Sequence, residues 1–344
     1  MDQYSIGVDL GGTNLRVAAM REEGGLLGNI SIRTRLQDGP NAVVGDLCEA
    51  VLAMQEGQGP SAVCVGVGVG TPGPLEMPEG TLRRPPNLPG WDGFCVRAAI
   101  EKRLGRPIFL DSDANLAALA EWRFGAGKRY GVDSLCMLTL GTGVGSGIVL
   151  DGRVWQGMNG MAGEAGHISV VPEGDVCGCG NRGCLEMYAS ATALRRMALR
   201  QMAAELERAT GACNTSALAR MVRAKPDFQA KDVAALAEAG DAGAQAAFDE
   251  MGRCLGLALA ALVNTLNLPL YVLGGGSAAA WPLFAPAMMR EVWERSYVYR
   301  ATMPDAKEIA DRAQGKTHIV AAELGAESGL LGAAALPWTK TRQK

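Results

Sequence analysis

Three glycine-rich blocks each follow an apolar stretch of the sequence, and each has the composition of a phosphate-binding turn. Because glycine has no Cβ, backbone N–H groups in such turns can converge on a phosphate. A single turn of this kind is often a plain connector, but three with the same chemistry predict a site for ATP. The blocks are DLGGTN at 9–14, LGTGVGSG at 140–147 and LGGGS at 273–277.

The first two blocks also carry side chains suited to a nucleotide. Asp9 offers a carboxylate and Thr13 a hydroxyl beside the predicted phosphate position. A carboxylate beside a phosphate requires a cation between them, so we expect Mg²⁺ held by Asp9 directly or through water. Thr142 adds a hydroxyl to the second block, and the third block is expected near the nucleoside end of ATP.

Two other nucleotide-binding folds do not fit this pattern. The sequence contains no G-x-x-x-x-G-K-[ST] motif, which excludes a P-loop enzyme. The G-x-G-x-x-G turn of a dinucleotide-binding fold opens a helix. Here the blocks at 9–14 and 140–147 lead into apolar stretches typical of strands.

One histidine and three cysteines form a set with the spacing H-x9-C-x-C-x4-C. These residues, His167, Cys177, Cys179 and Cys184, match the closed tetrahedral ligand set of a structural Zn²⁺ site. The alternative is a disulfide plus one unpaired thiol, which suits a reducing compartment poorly. The other six of the nine cysteines are scattered singly, as expected for reduced, mostly buried thiols in a cytoplasmic enzyme.

The segment DSDAN at 111–115 lies between a predicted strand and a predicted helix. An aspartate in this position can serve as the N-cap of the helix. It can also be the carboxylate that accepts a proton from an attacking hydroxyl. The residue pattern alone leaves both interpretations open for Asp111 and Asp113.

Strands and helices alternate along the chain, which predicts an α/β fold. Strands are expected at 5–9, 15–20, 62–69, 108–110, 135–140, 148–150, 154–155 and 270–273, with a turn at 22–25. Helices are expected at 43–54, 96–104, 116–124, 248–266 and 325–335, with further helical spacing across 189–247. The succession of strand, glycine turn, strand and hairpin occurs twice, which predicts a repeated topology.

Composition limits the classes of function. The chain has 344 residues, which favours two domains. Its net charge of −3 argues against a nucleic-acid partner. The N-terminus lacks the pattern of a signal peptide, and the longest apolar stretch, at 255–263, is too short to span a membrane. We therefore expect a cytoplasmic protein.

Five motifs together resemble the ROK family of sugar kinases and sugar-responsive repressors. They are DLGGTN, DSDAN, GEAGH at 163–167, CGCGNRGCLE at 177–186 and LGGGS, and they run in the family's order from Ile6 to about Ala335. The resemblance implies an α/β fold of two actin-like (ribonuclease H-like) domains with an interdomain cleft. It places the first domain at 1–115 plus 321–344, and the second, with the zinc-bound loop, at 116–320.

The resemblance also assigns roles to residues. It makes Asp113 the catalytic base, with Ser112 at a position that is often a sugar-binding Asn in the family. It places the sugar against Glu164, His167 and Glu186, with His167 binding both zinc and sugar. Gly73 and Asn87 are further candidates for sugar contact, although Asn87 fits a plain turn almost as well. The residues expected to bind ATP and Mg²⁺ are Asp9, Gly11, Gly12, Thr13, Asn14, Gly141, Thr142, Gly143, Gly275 and Gly276.

The implied reaction is transfer of the ATP γ-phosphoryl group to a hexose, with glucose 6-phosphate as the expected product. The alternatives are another sugar (N-acetylmannosamine, N-acetylglucosamine, allose, fructose or mannose), polyphosphate as donor, or a non-catalytic sugar-sensing protein. Family repressors carry a DNA-binding module before the first glycine strand, and only five residues precede Ile6 here. A homodimer is expected from the resemblance.

Overall fold

The structure, a computed structural model, describes residues 2–208, 216–304 and 315–341. It contains two five-stranded sheets and one two-stranded sheet, with helices between the strands. In both large sheets the strands lie in the same order: third, second, first, fourth and fifth along the chain. The predicted α/β class and the repeated topology are therefore confirmed.

The first large sheet begins as an antiparallel meander and continues in parallel. β1 pairs antiparallel with β2 and parallel with β4, and β4 pairs parallel with β7. β1 is buried along most of its length, although Ser5, Gly7 and Asp9 alternate with its apolar residues. In spatial order the strands are β3 (Leu26–Arg33), β2 (Asn14–Met20), β1 (Gln3–Leu10), β4 (Val63–Thr71) and β7 (Phe109–Ser112).

The second large sheet repeats this plan. Its last two strands in space, β11 and β12, pair in parallel. In spatial order the strands are β10 (Arg153–Val154), β9 (Val144–Leu150), β8 (Leu135–Leu140), β11 (Leu270–Gly274) and β12 (His318–Ala321). The two-stranded sheet consists of β5 (Leu75–Glu76) and β6 (Thr81–Leu82).

Helices occupy most of the remaining described chain. The helices before β11 are α1 (Pro40–Glu56), α2 (Val96–Leu104), α3 (Asp113–Arg123), α4 (Ala126–Tyr130), α5 (Glu186–Ala189), α6 (Ala191–Arg208), α7 (Ala217–Ala224), α8 (Ala230–Glu238) and α9 (Ala242–Leu266). Those after it are α10 (Trp281–Arg295), α11 (Tyr297–Thr302) and α12 (Ser328–Thr341). None of the described helices is long and apolar enough to cross a membrane.

Contacts divide the chain into two compact units. The first comprises Met1–Met137, Ser146–Gly163 and Glu323–Lys344, and the second Leu138–Gly145 and Glu164–Ala322. In this division α3 belongs to the first unit, whereas the sequence places a domain boundary at 115. The boundaries at 115 and 320 stay predictions, because compactness alone does not define a domain that folds independently.

The C-terminal helix α12 packs directly on β1 and β4 at two glycines. A Cβ added to Gly7 would collide with Ala334, and one added to Gly68 would collide with the Ala333 carbonyl. That carbonyl is four residues before Pro337, which has no N–H to donate to it. Ser5 Oγ donates to the Ala334 carbonyl at 2.6 Å and accepts from Trp338 Nε1 at 2.8 Å.

Gly68→Ala should destabilise the first unit, because α12 would have to shift to admit the methyl group. Overpacking of this kind typically lowers the free energy of unfolding by about 1–3 kcal/mol. Thermal unfolding followed by circular dichroism measures the effect. Gly28→Ala in β3 is the matched control, since its nearest neighbour is the Met54 sulfur at 3.7 Å. Equal melting temperatures for the two variants would contradict the packing argument.

Several elements differ from the sequence prediction. β3 and β12 were not expected, and α12 runs past the predicted end at 335 to Thr341. β3 alternates exposed and partly buried residues, so it lacks the continuous apolar stretch of a buried strand. The helical spacing predicted across 189–247 includes residues 209–215, which lie outside the described residues, as does Cys213.

Candidate active site

Three adjacent parallel strands of the first unit end at the same edge of their sheet. Asp9 of β1 is in register with Gly70 of β4, and Gly70 with Asp111 of β7. The first glycine turn, the turn that contains Gly73 and the DSDAN segment therefore follow neighbouring strand ends. In open α/β sheets, ligands bind outside the carboxyl ends of the strands.

The first glycine turn is held in place by its carbonyl groups. Thr34 donates to the Gly11 carbonyl from Oγ1 at 2.7 Å and to the Thr13 carbonyl from its backbone N–H at 2.9 Å. A Cβ at Gly12 would lie 2.9 Å from the carbonyl oxygen of Asn87. The structure thus brings Gly12 and Asn87 together. Thr13, Asn14 and Asn87 are exposed.

Asp9 forms an ion pair that the sequence analysis missed. Both hydrogen bonds from Arg16 go to Asp9 Oδ2, and the Nε–Oδ2 distance is 3.1 Å. The hairpin register places these two residues opposite each other. Arg16 fixes the orientation of the carboxylate and adds a positive charge beside the predicted phosphate position.

Neither aspartate of the DSDAN segment is the N-cap of α3. Ser112 is the N-cap, and its Oγ accepts from the backbone N–H of Asn115 at 3.2 Å. Asp113 is the first residue of the helix and is partly exposed, with Oδ1 accepting from its neighbour Ala114 N–H at 2.7 Å. The structure therefore leaves the Asp113 carboxylate accessible at the carboxyl end of β7.

Asp111 is buried and makes several structural contacts. Its Oδ1 accepts from Asn115 Nδ2 at 2.8 Å, and its Oδ2 accepts from Gln156 Nε2 at 2.7 Å. A buried carboxylate with these partners stabilises the local fold, because removing it would leave buried amide groups unpaired. This arrangement indicates a structural role for Asp111.

The second unit contains the other two glycine turns. The second turn, Gly141–Gly143, joins β8 to β9 and is closed by a 2.9 Å hydrogen bond from Gly141 N–H to the Gly143 carbonyl. Gly275 adopts φ +85°, and a Cβ there would lie 2.6 Å from the Leu140 carbonyl. The third block thus contacts the strand end that precedes the second turn. Gly275 and Gly276 are exposed.

The predicted metal ligands lie together in the second unit. The four ligand atoms of His167, Cys177, Cys179 and Cys184 are all within 4.8 Å of one another. Cys177 Sγ is 3.6 Å from His167 Nδ1, and Cys179 Sγ is 3.7 Å from Cys184 Sγ. A tetrahedral Zn²⁺ site with Zn–S bonds of about 2.3 Å has edges of about 3.8 Å. The donor set and its spacing fit Zn²⁺.

The loop that carries these thiols has a tight backbone. Gly183 adopts φ +68°, and a Cβ there would collide with the Val171 carbonyl. Burial, together with the neighbouring Cys177 and Cys179 thiols, raises the pKa of the Cys184 thiol to about 12. Three adjacent thiolates require a cation to offset this desolvation and repulsion.

His167 of this cluster and two nearby carboxylates, Glu164 and Glu186, are the residues that the sequence predicts to contact the sugar, and we call them the sugar triad for that predicted role. His167 directs Nδ1 toward Cys177, while its Nε2 lies 3.9 Å from Glu164 Oε2. Burial raises the pKa of the Glu164 carboxyl; His167 opposes this shift and the charge of Glu186 adds to it. One imidazole and two carboxylates can pair with several hydroxyl groups.

The structure brings Gly12 to Asn87 in the first unit, and in the second it brings Gly143 to Glu186 and gathers the four predicted metal ligands. The sequence reasoning missed Arg16, Thr34, Gln156 and Thr192, which hold other residues that the sequence singled out. The contact of Arg16 with Asp9 could have been predicted from the register of the hairpin that β1 and β2 form. The other three contacts join segments at least 23 residues apart, and local patterns do not predict such pairs.

The chain is similar to known proteins over nearly its whole length. The ROK family pattern matches residues 5–340. A glucokinase from Halalkalibacterium halodurans is 35% identical over 333 residues, or 96% of this chain and 94% of that protein. The structure of a ROK hexokinase from Thermus thermophilus matches with a TM-score of 0.78 and 32% identity, covering 99% of this chain and 100% of that one.

A further solved structure is a ROK family glucokinase from Streptomyces griseus, in complex with glucose and AMPPNP. It matches with a TM-score of 0.74 and 31% identity, covering 97% of this chain and 98% of that one. Curated xylose repressors also match, over 68–72% of this chain and 54–60% of their own length.

These similarities identify the fold and the family of the chain. The fold is the two-domain actin-like fold of sugar-phosphorylating enzymes. The chain belongs to the ROK family. Its similarity to glucokinases extends over nearly the full length of both chains, and on that basis it is a sugar kinase that uses ATP.

Proposed function

We propose that this sugar kinase transfers the γ-phosphoryl group of ATP to the 6-hydroxyl of glucose. The observation that carries the proposal is the sugar triad on the Cys₃His cluster. It is supported by the full-length similarity to glucokinases and by the related structure that holds glucose and AMPPNP. The xylose repressors match a smaller part of the chain, so a sensing protein is the second candidate.

Asp113 is the proposed base. It accepts the proton of the attacking hydroxyl and orients that oxygen toward the γ-phosphorus, mainly as a positioning group in a loose transition state. Asp9, oriented by Arg16, would hold Mg²⁺ directly or through water, and Mg²⁺ supplies neutralisation of the phosphate charge. The glycines of the three turns and the nearby Thr13, Asn14 and Thr142 are proposed to bind ATP.

The sugar is proposed to contact the triad, with Ser112, Gly73 and Asn87 as further contacts. Ser112 Oγ accepts a hydrogen bond as N-cap but retains its own proton, so it can still donate to a sugar hydroxyl. Zn²⁺ would be held by His167 and the three cysteines. Because protein ligands fill all four positions, its contribution is to fix the loop rather than to take part in the chemistry.

A panel of sugars tests the substrate. We expect glucose to exceed mannose and N-acetylated sugars in kcat/KM, because an epimer that turns one hydroxyl away leaves a triad group unpaired. Such a loss costs about 1–3 kcal/mol, which lowers kcat/KM for the epimer roughly ten- to a hundredfold. A coupled ADP-release assay with ATP and Mg²⁺ measures this ratio. N-acetylmannosamine, allose or fructose exceeding glucose tenfold would contradict the choice of glucose.

An assay of glucose 6-phosphate formation, with polyphosphate in place of ATP, tests the donor, because transfer from polyphosphate releases no ADP. We also propose that the enzyme works in the cytoplasm as a homodimer. All cysteines among the described residues are free thiols, which supports a reducing compartment. Light scattering after size-exclusion chromatography tests the dimer. A wild-type protein that binds glucose but forms no glucose 6-phosphate with either donor would favour the sensing candidate.

A further inference from the structure

The second glycine turn is attached at three positions to the segment that follows the metal cluster. Ala191 N–H donates to the Gly141 carbonyl at 2.8 Å, and Thr192 Oγ1 donates to the Thr142 carbonyl at 2.9 Å. Val144 N–H, at the end of the turn, donates to Glu186 Oε2 at 3.0 Å. All three partners lie within residues 186–192, immediately after the cluster residue Cys184.

The contact with Glu186 also explains a glycine. A Cβ at Gly143 would collide with Glu186 Oε2, so this position must be glycine for the carboxylate to reach Val144. Glu186 thus belongs to the sugar triad and to the support of the phosphate-binding turn at the same time. Its neighbour in the triad, Glu164, makes its close side-chain contact with His167 instead.

We propose that Glu186 and Thr192 are positioning residues for the donor: they hold the Gly141–Gly143 turn in the shape that binds the phosphates of ATP. Two of the hydrogen bonds hold the Gly141 and Thr142 carbonyl groups toward residues 191–192, and the third fixes Val144 at the end of the turn. The Thr142 and Gly143 N–H groups are then the ones proposed to bind the phosphates. This inference rests on the proposed function, because it assigns the turn to ATP.

Thr192 gives the cleaner test, because its side chain is exposed and lies outside the sugar triad. Thr192→Val removes the donor to the Thr142 carbonyl and nearly preserves side-chain size. We expect the dissociation constant for Mg²⁺·AMPPNP, measured by calorimetry, to rise about three- to tenfold, which is the usual worth of one such hydrogen bond. The KM for sugar should change less than twofold. Thr192→Ser restores the hydroxyl and should restore the affinity.

Thr265→Val is the matched control. Thr265 is also an exposed helical threonine, and its Oγ1 donates at 2.7 Å to the Ala261 carbonyl of its own helix. The two variants lose the same chemical group, but only Thr192 contacts the turn. The control should bind AMPPNP as tightly as the wild type.

The two glutamates of the triad give a second, independent test. Glu186→Ala should weaken AMPPNP binding and raise the sugar KM. Glu164→Ala should also raise the sugar KM but leave the AMPPNP dissociation constant within twofold of the wild-type value. Glu186→Gln keeps an oxygen that can accept from Val144, so it should retain most of the AMPPNP affinity. Both tests use binding of the analogue to the whole protein and therefore give a result even without catalysis.

The inference is overturned if Thr192→Val binds AMPPNP like the wild type, or if Glu164→Ala and Glu186→Ala weaken AMPPNP binding equally. Either result leaves the proposed function intact when the wild type still phosphorylates a sugar. Conversely, a wild-type protein that binds AMPPNP but phosphorylates no sugar would contradict the proposed function. The comparison of AMPPNP affinity between the variants and the wild type would still test the inference.

Discussion

Asp113→Asn is expected to lower kcat by roughly 10²–10⁴, the usual contribution of a positioned acid–base group. An amide cannot accept the proton of the attacking hydroxyl, but it has nearly the same shape as the carboxylate. The backbone around it should persist, because Ser112 rather than Asp113 caps α3. Sugar affinity should therefore change little. Steady-state kinetics in a coupled ADP-release assay separate kcat from KM.

Asp111→Asn is the comparison variant for Asp113→Asn, because Asp111 lies only two residues before Asp113 in the chain. Asp111 accepts from Asn115 and Gln156 in a buried position, so its substitution should lower the melting temperature more than it lowers kcat. The opposite pattern, with near-normal turnover for Asp113→Asn and a large loss for Asp111→Asn, would exchange the two roles and reject Asp113 as the base.

The second large effect concerns the metal cluster. Purified enzyme should contain about one Zn²⁺ per chain by elemental analysis, since the four ligands form a closed set. Cys179→Ser should reduce this content and raise the sugar KM on the order of 10–100-fold, because the loop no longer holds His167 and Glu186 in place. Cys179 is the exposed ligand, so the variant should still fold.

Cys95→Ser is the control for this prediction. Cys95 lies outside the cluster, and its Sγ contacts the Glu79 carbonyl at 3.1 Å, a contact that a serine hydroxyl can also make. Its zinc content and sugar KM should match the wild type. Zinc-free wild-type enzyme with full activity would contradict the metal assignment, as would a Cys177–Cys179 disulfide in freshly purified protein.

The sequence predicted those parts of the molecule that depend on local chemistry. Glycine blocks after apolar stretches marked three strand ends, and the Cys/His spacing marked a cluster whose ligand atoms do converge. The pairing of Asp9 with Arg16 could also have been found. In an antiparallel hairpin the residue numbers of opposite partners have a constant sum, and the turn at 12–13 places these two opposite each other.

Other features depend on contacts between distant segments. The cap of α3 could not be chosen from sequence, because Ser112 and the two aspartates beside it all have favourable capping side chains. The support of the second glycine turn by Thr192 joins residues 50 positions apart. The extension of α12 through Pro337 depends on β4, whose Gly68 leaves space for the Ala333 carbonyl.

The attachment of α12 to β1 has a consequence for synthesis on the ribosome. Ser5 and Ala334 are joined across 329 residues, and Ser5 and Trp338 across 333. During translation β1 therefore emerges long before α12, and its glycine-lined face stays uncovered until α12 has been made. Domains made during translation usually fold in order from the N-terminus. Here the segment 164–322 emerges before the first sheet is covered. A chain cut short before Ala333 would contain every residue proposed for catalysis and yet lack the part of α12 that packs on β1 and β4.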